Sequence, residues 1–130
     1  MSPMKLSVLL TLSLAAGCAT DFSKRGTESE FAAVTSNEQK HAAEALRLDC
    51  SGLPEIAVPA GSTWTPAGRI PEGAVLRCTS HVIQIRSGHV HEAYLVADGS
   101  TLVGAYLPVL RRFFAADPEL STPWTTEDLQ

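Results

Sequence analysis

The chain has 130 residues, a formal net charge of −4, 45% hydrophobic residues and three cysteines. That length suits one small domain with its flanking segments. The acidic balance argues against nucleic acid as a partner and against electrostatic adhesion to anionic lipid, since both need clustered Lys and Arg.

At the start of the chain a single cation, Lys5, precedes an apolar run from Leu6 to Leu14, and small residues then lead directly to Cys18. A charged start, a short apolar stretch and small residues at a cleavage point make a secretory signal peptide. The run is far shorter than the roughly 20 apolar residues a membrane-spanning helix needs. The stretch Leu14-Ala15-Ala16-Gly17-Cys18 resembles the lipobox of bacterial lipoprotein precursors, with one departure. Leu is usual at the third position before the cysteine in that family, and here it is Ala15, so a plain secretory signal stays open as the rival reading.

The resemblance covers residues 1–18 only. It implies that residues 1–17 are removed and that Cys18 becomes the first residue, carrying diacylglycerol and an acyl chain such as palmitate. Ala19 after the cysteine, where an Asp favours inner-membrane retention in enterobacterial lipoproteins, implies the outer membrane. No other cofactor is implied.

Export also bears on the other two cysteines. Cys50 and Cys78 meet an oxidising compartment, so the expectation is one disulfide between them. Such a bridge would be worth on the order of 3 kcal/mol in the chain-entropy model.

Residues 18–35 read as a lipidated tether, polar and flexible with Phe22 and Phe31 isolated. Ser36-Asn37-Glu38-Gln39 has the form of a capping box and opens an Ala- and Glu-rich stretch, which predicts a helix over about 37–48. From Cys50 onward, Pro59-Ala60-Gly61, Pro66-Ala67-Gly68 and Pro71-Glu72-Gly73 share a turn-forming pattern, with Pro set for the second turn position and Gly for the fourth. Glu55–Val58 and Ser62–Thr65 fit between them as short extended pieces. Strands are predicted over 74–107, with turns at Ser87-Gly88 and Asp98-Gly99-Ser100. The apolar phase slips between Leu76/Cys78 and Ile83/Ile85, which predicts a bulge or corner near Ser80-His81. Val109–Ala116 is a further strand or a helical turn, and 117–130 reads as an acidic flexible tail. The expected fold is mainly β: a small antiparallel meander or barrel-like domain over 36–116, with one N-terminal helix and one disulfide.

Chemistry has few candidates. His89 and His91 are two apart and share a face if the segment is a strand, and His81 on a neighbouring strand would be a third nitrogen ligand for zinc or copper. There is no Gly-x-Ser-x-Gly elbow and no glycine-rich phosphate loop, and the carboxylates have no spacing that favours a catalytic pair, so no enzymatic activity is expected. Tyr94, Tyr106, Arg111, Arg112 and Phe113 are residue types enriched at interface anchors. The expected role is to bind or scaffold another envelope component. Metal binding through the histidines and inhibition of an enzyme are the alternatives.

Overall fold

The computed structural model describes residues 25–87 and 89–125. The described residues contain no helix and form twelve strands. These are β1 (Thr27–Glu28), β2 (Ala32–Ala33), β3 (Lys40–His41), β4 (Leu46–Leu48), β5 (Ile56–Val58), β6 (Thr63–Ile70), β7 (Gly73–Cys78), β8 (Gln84–Ser87), β9 (His89–Glu92), β10 (Tyr94–Asp98), β11 (Thr101–Leu107) and β12 (Arg112–Ser121). The main sheet is antiparallel and runs β1-β12-β11-β10-β7-β6-β2, with β3 also pairing to β6. β4 with β5 and β8 with β9 make two separate ribbons.

The sheet is curled into a half-barrel, and chain length shows how strongly. β1 pairs with β12 and β2 pairs with β6, the two outer strands of the meander. Only Ser29, Glu30 and Phe31 separate β1 from β2. A few extended residues reach roughly 13 Å, whereas the six strand-to-strand spacings from β1 to β2 across a flat sheet come to roughly 29 Å. The outer strands must therefore bend toward each other, and residues 27–33 form a strap between them.

Alternation along the strands sends apolar side chains to both faces. Ile70, Val75, Val96, Tyr106 and Phe113 make one cluster, which Phe31 of the strap joins. Trp64, Leu76, Leu95, Ala105, Leu107 and Phe114 belong to the other, with residues of the two ribbons packed among them. Trp64 is completely buried, and its indole N–H donates to Ser62 Oγ at 2.9 Å. Ser62 in turn donates to the Pro59 carbonyl at 2.6 Å, so the buried polar groups there are satisfied.

Local sequence signals succeed where the turn is short. Pro71-Glu72 joins β6 to β7, with Ile70 opposite Gly73, and has the expected Pro and Gly positions. Gly99-Ser100 joins β10 to β11, and Gly99 has φ 62°. The predicted corner falls between Cys78 and Gln84, where β7 stops and the β8–β9 ribbon leaves the main sheet. Gly88, half of the expected turn within that ribbon, lies outside the described residues. The other two Pro-x-Gly triplets behave differently. Pro66-Ala67-Gly68 sits inside β6, where the register shifts between Pro66 and Gly68, so it is a bulge. At Pro59 the turn is displaced by one: Ser62 N–H bonds the Pro59 carbonyl, and Gly61 takes φ 77°.

Four expectations are corrected. Residues 37–48 form no helix; Lys40–His41 pairs with β6 and Leu46–Leu48 with β5. The stretch 25–35 is not a tether, since the strap is part of the sheet. The segment after Ala116 is no free tail as far as Thr125: β12 continues to Ser121, and Trp124 is buried and bridges to Ala42. Finally, Cys50 and Cys78 are free buried thiols and not a disulfide. The backbone of Cys50 bridges to Ala116 on β12, Cys78 ends β7, and β11 and β10 run between those strands. Three strand spacings are about 14 Å, beyond the roughly 7 Å between Cα atoms that a disulfide spans. Residues 1–24, with the signal stretch and Cys18, lie outside the described residues, as do 126–130.

Candidate functional site

The strap fixes the site. Its centre, Ser29, is buried, and its hydroxyl donates to Glu72 Oε1 at 2.7 Å while its backbone N–H bonds the Arg111 carbonyl at 3.1 Å. These two bonds tie the strap to the β6–β7 turn on one side and to the turn before β12 on the other. They place Phe31 over the sheet, where its ring stacks on Tyr106 with centroids 5.5 Å apart and 14° between planes. Gly68 makes this possible. A Cβ at that position would run into the Phe31 ring and the Ala32 carbonyl, so the bulge in β6 leaves the space the ring needs.

Two hollows flank Phe31 and share it together with Pro108. One, of about 730 Å³, is bounded by Glu28, Glu30, Tyr106 and Arg111. The other, of about 430 Å³, is bounded by Thr35, Thr65, Arg77 and Tyr94. Arg111 reaches its place through a left-handed backbone, φ 55°, closed by its N–H bonding the Leu107 carbonyl at 2.8 Å. Tyr94 lies between opposite charges, hydrogen-bonded to both Glu92 and Arg77. Burial and the Glu92 carboxylate raise its phenol above the usual value, with Arg77 opposing them. Burial likewise raises the Tyr106 phenol, and the charge of Arg111 works against it. Both phenols are thus neutral hydrogen-bonding groups at physiological pH.

The five sequence-predicted interface residues divide into two groups. Tyr106 and Phe113 are core, at 1% and 8% exposure. Arg112 is spent on the strap, donating from Nε to the Arg25 carbonyl at 2.6 Å and from Nη2 to the Gly26 carbonyl at 3.1 Å. Tyr94 and Arg111 stay accessible at the two hollows. The sequence reading missed Phe31, Arg77 and Pro108. An isolated Phe in a polar stretch carries no signal by itself, because the bulge at Gly68 that makes room for its ring lies far along the chain.

The histidines do not gather. His81 shares a 2.8 Å hydrogen bond with Ser80 Oγ beyond the end of β7. On β9, His89 stands opposite Ser87 and His91 opposite Ile85. Among the described residues no three His, Cys, Asp or Glu side chains come together as a metal-binding group, so the expected His81, His89 and His91 site is not assembled. Burial and the nearby Asp49 push the Cys50 thiol up to about 12, despite a hydrogen bond from the Ala105 backbone, so it is protonated at physiological pH. The accessible groups are the Phe31 ring, the Arg77 and Arg111 guanidinium groups and the Tyr94 phenol, which suit recognition by contact. No family model, curated protein or solved structure matches the chain.

Proposed function

We propose that this chain is a lipoprotein of the cell envelope, held in the outer membrane by acyl chains on Cys18, whose β domain binds another envelope protein through the surface around Phe31. Catalysis is not part of this role. The observation that carries the binding reading is the stacked Phe31–Tyr106 pair, flanked by hollows with Arg111 at one and Arg77 at the other. Aromatic rings and arginines are the side chains most often found at the energetic centre of protein interfaces. The domain follows the proposed anchor closely, since only seven residues separate Cys18 from Gly26 and the start of β1.

The test is site-specific photo-crosslinking in intact cells. A photoreactive phenylalanine analogue at Arg111 or at Tyr94 is expected to give one discrete adduct, the same protein from both positions. The same analogue at Glu55, beside the β4–β5 ribbon, should give none. Absence of an adduct from both site positions, or equal capture from Glu55, contradicts the proposal. An adduct that is a hydrolase of another cell would favour the inhibitor reading over scaffolding.

A further inference from the structure

The β8–β9 ribbon has a row of backbone hydrogen-bonding groups left over. Its two strands pair with each other and with no third strand. The Ala93 N–H bonds the Ile83 carbonyl at 2.9 Å, in the same register as the ribbon. Bonded and non-bonded pairs alternate along an antiparallel ladder. Ile85 and His91 are therefore a bonded pair, while Gln84 and Arg86 turn their N–H and C=O groups away from β9. Among the described residues these outward groups have no hydrogen-bond partner. The side chains of β8 alternate too: Ile83 and Ile85 are buried, at 7% and 2% exposure, and Val82, Gln84 and Arg86 face solvent. An open edge of this kind is a template for another strand.

Charge selects the strand. Within the ribbon Gln84 stands opposite Glu92, and Arg86 opposite Val90. Arg86 forms no ion pair with another described residue. A second β8, laid antiparallel against the first about a two-fold axis at Ile85, sets Gln84 of each copy opposite Arg86 of the other. These are the residues whose backbone groups point outward, so the donors and acceptors of both edges are answered. Each Arg86 then lies in one cross-strand row with Gln84 and, beyond it, Glu92 of the other copy. That is about 10 Å between Cα atoms, a gap that two long side chains lying over Gln84 close. Glu92 already accepts from Tyr94, and its carboxylate has lone pairs for both. With the axis at Arg86 instead, the two arginines would oppose each other directly, which is unfavourable.

We infer that two copies of this chain associate edge to edge through β8, making a continuous antiparallel sheet β9-β8-β8-β9 about a two-fold axis. The pairing is independent of the strap surface and of the anchor, and stands or falls separately from them.

Sedimentation equilibrium of the full-length Cys18→Ser protein tests it, and should show a concentration-dependent monomer–dimer equilibrium. Gln84→Pro removes an outward N–H and no bond within the ribbon, so it should leave only monomer with an unchanged circular dichroism spectrum. Arg86→Glu and Glu92→Arg should each weaken association at least tenfold, and the double exchange should restore it. Gln84→Cys and Arg86→Cys proteins, mixed under mild oxidation, should join as a heterodimer, since opposed bonded residues are about 5.5 Å apart. Monomer at every concentration, or a dimer that persists in Gln84→Pro, would overturn the assignment. So would a double exchange no tighter than the single ones, or cross-linking no faster in the mixture than in either protein alone.

Discussion

Phe31 and Gly68 act as one unit. The ring occupies the space that the absent side chain leaves, so either substitution should be felt through the other. Phe31→Ala is expected to lower stability by about 2 kcal/mol, below the range for a fully enclosed Phe because the ring is only partly buried. Gly68→Ala should cost a similar amount in the native background and much less beside Phe31→Ala. Urea denaturation of the two single variants and the double variant measures that coupling, and strict additivity would contradict the contact.

Cys50 makes a second prediction at this scale. Its thiol is held at about 12 against an ordinary 9.0, so the folded state binds the proton more tightly than the unfolded chain. The resulting stability is complete below pH 9 and declines as pH rises toward about 12. Cys50→Ala should flatten part of that alkaline decline. In a full-length Cys18→Ser protein, a thiol reagent should find no reactive cysteine in the native state and both Cys50 and Cys78 once urea is added. A pair that stays unreactive in urea would mean the two are bridged after all.

At the level of elements, the strap is the part on which the half-barrel's closure depends. Its ladders are short, two residue pairs on each side, and Arg112 reinforces them through two backbone carbonyls. Arg112→Ala should cost about 1 kcal/mol and expose the bonds around Arg25–Gly26 to trypsin. Limited proteolysis followed by mass spectrometry checks this, and a cleavage rate unchanged from the native protein would contradict the clamp. The strand meander, its two short turns and the corner after Cys78 were legible because alternation and turn chemistry are local properties. The helix expected over 37–48 failed for the opposite reason. Ser36 does make a local bond, accepting from the Glu38 N–H at 3.1 Å, yet the stretch has no broad apolar stripe to bury. Extended pairing instead buries Ala42 and Leu48 completely or nearly so, and long-range packing overrides a weak helical preference. The same limit hid the site. Phe31 lies 37 positions before Gly68, and nothing in either neighbourhood signals that the two meet.

For the whole molecule, the proposed anchor precedes the strap closely in the chain. Membrane attachment cannot rest on charge, since the chain is acidic and mature protein without Lys5 would be more so. In the proposed reading it comes from acyl chains, each buried methylene contributing about 0.8 kcal/mol. Cys18→Ser is therefore expected to move the protein from the membrane to the soluble envelope fraction, with the fold unchanged by circular dichroism. The most direct measurement is mass spectrometry of the mature amino terminus of the native protein. The account predicts a chain beginning at Cys18 and bearing diacylglycerol and an acyl group; an unmodified first residue, or Cys18 joined to another sulfur, would contradict it.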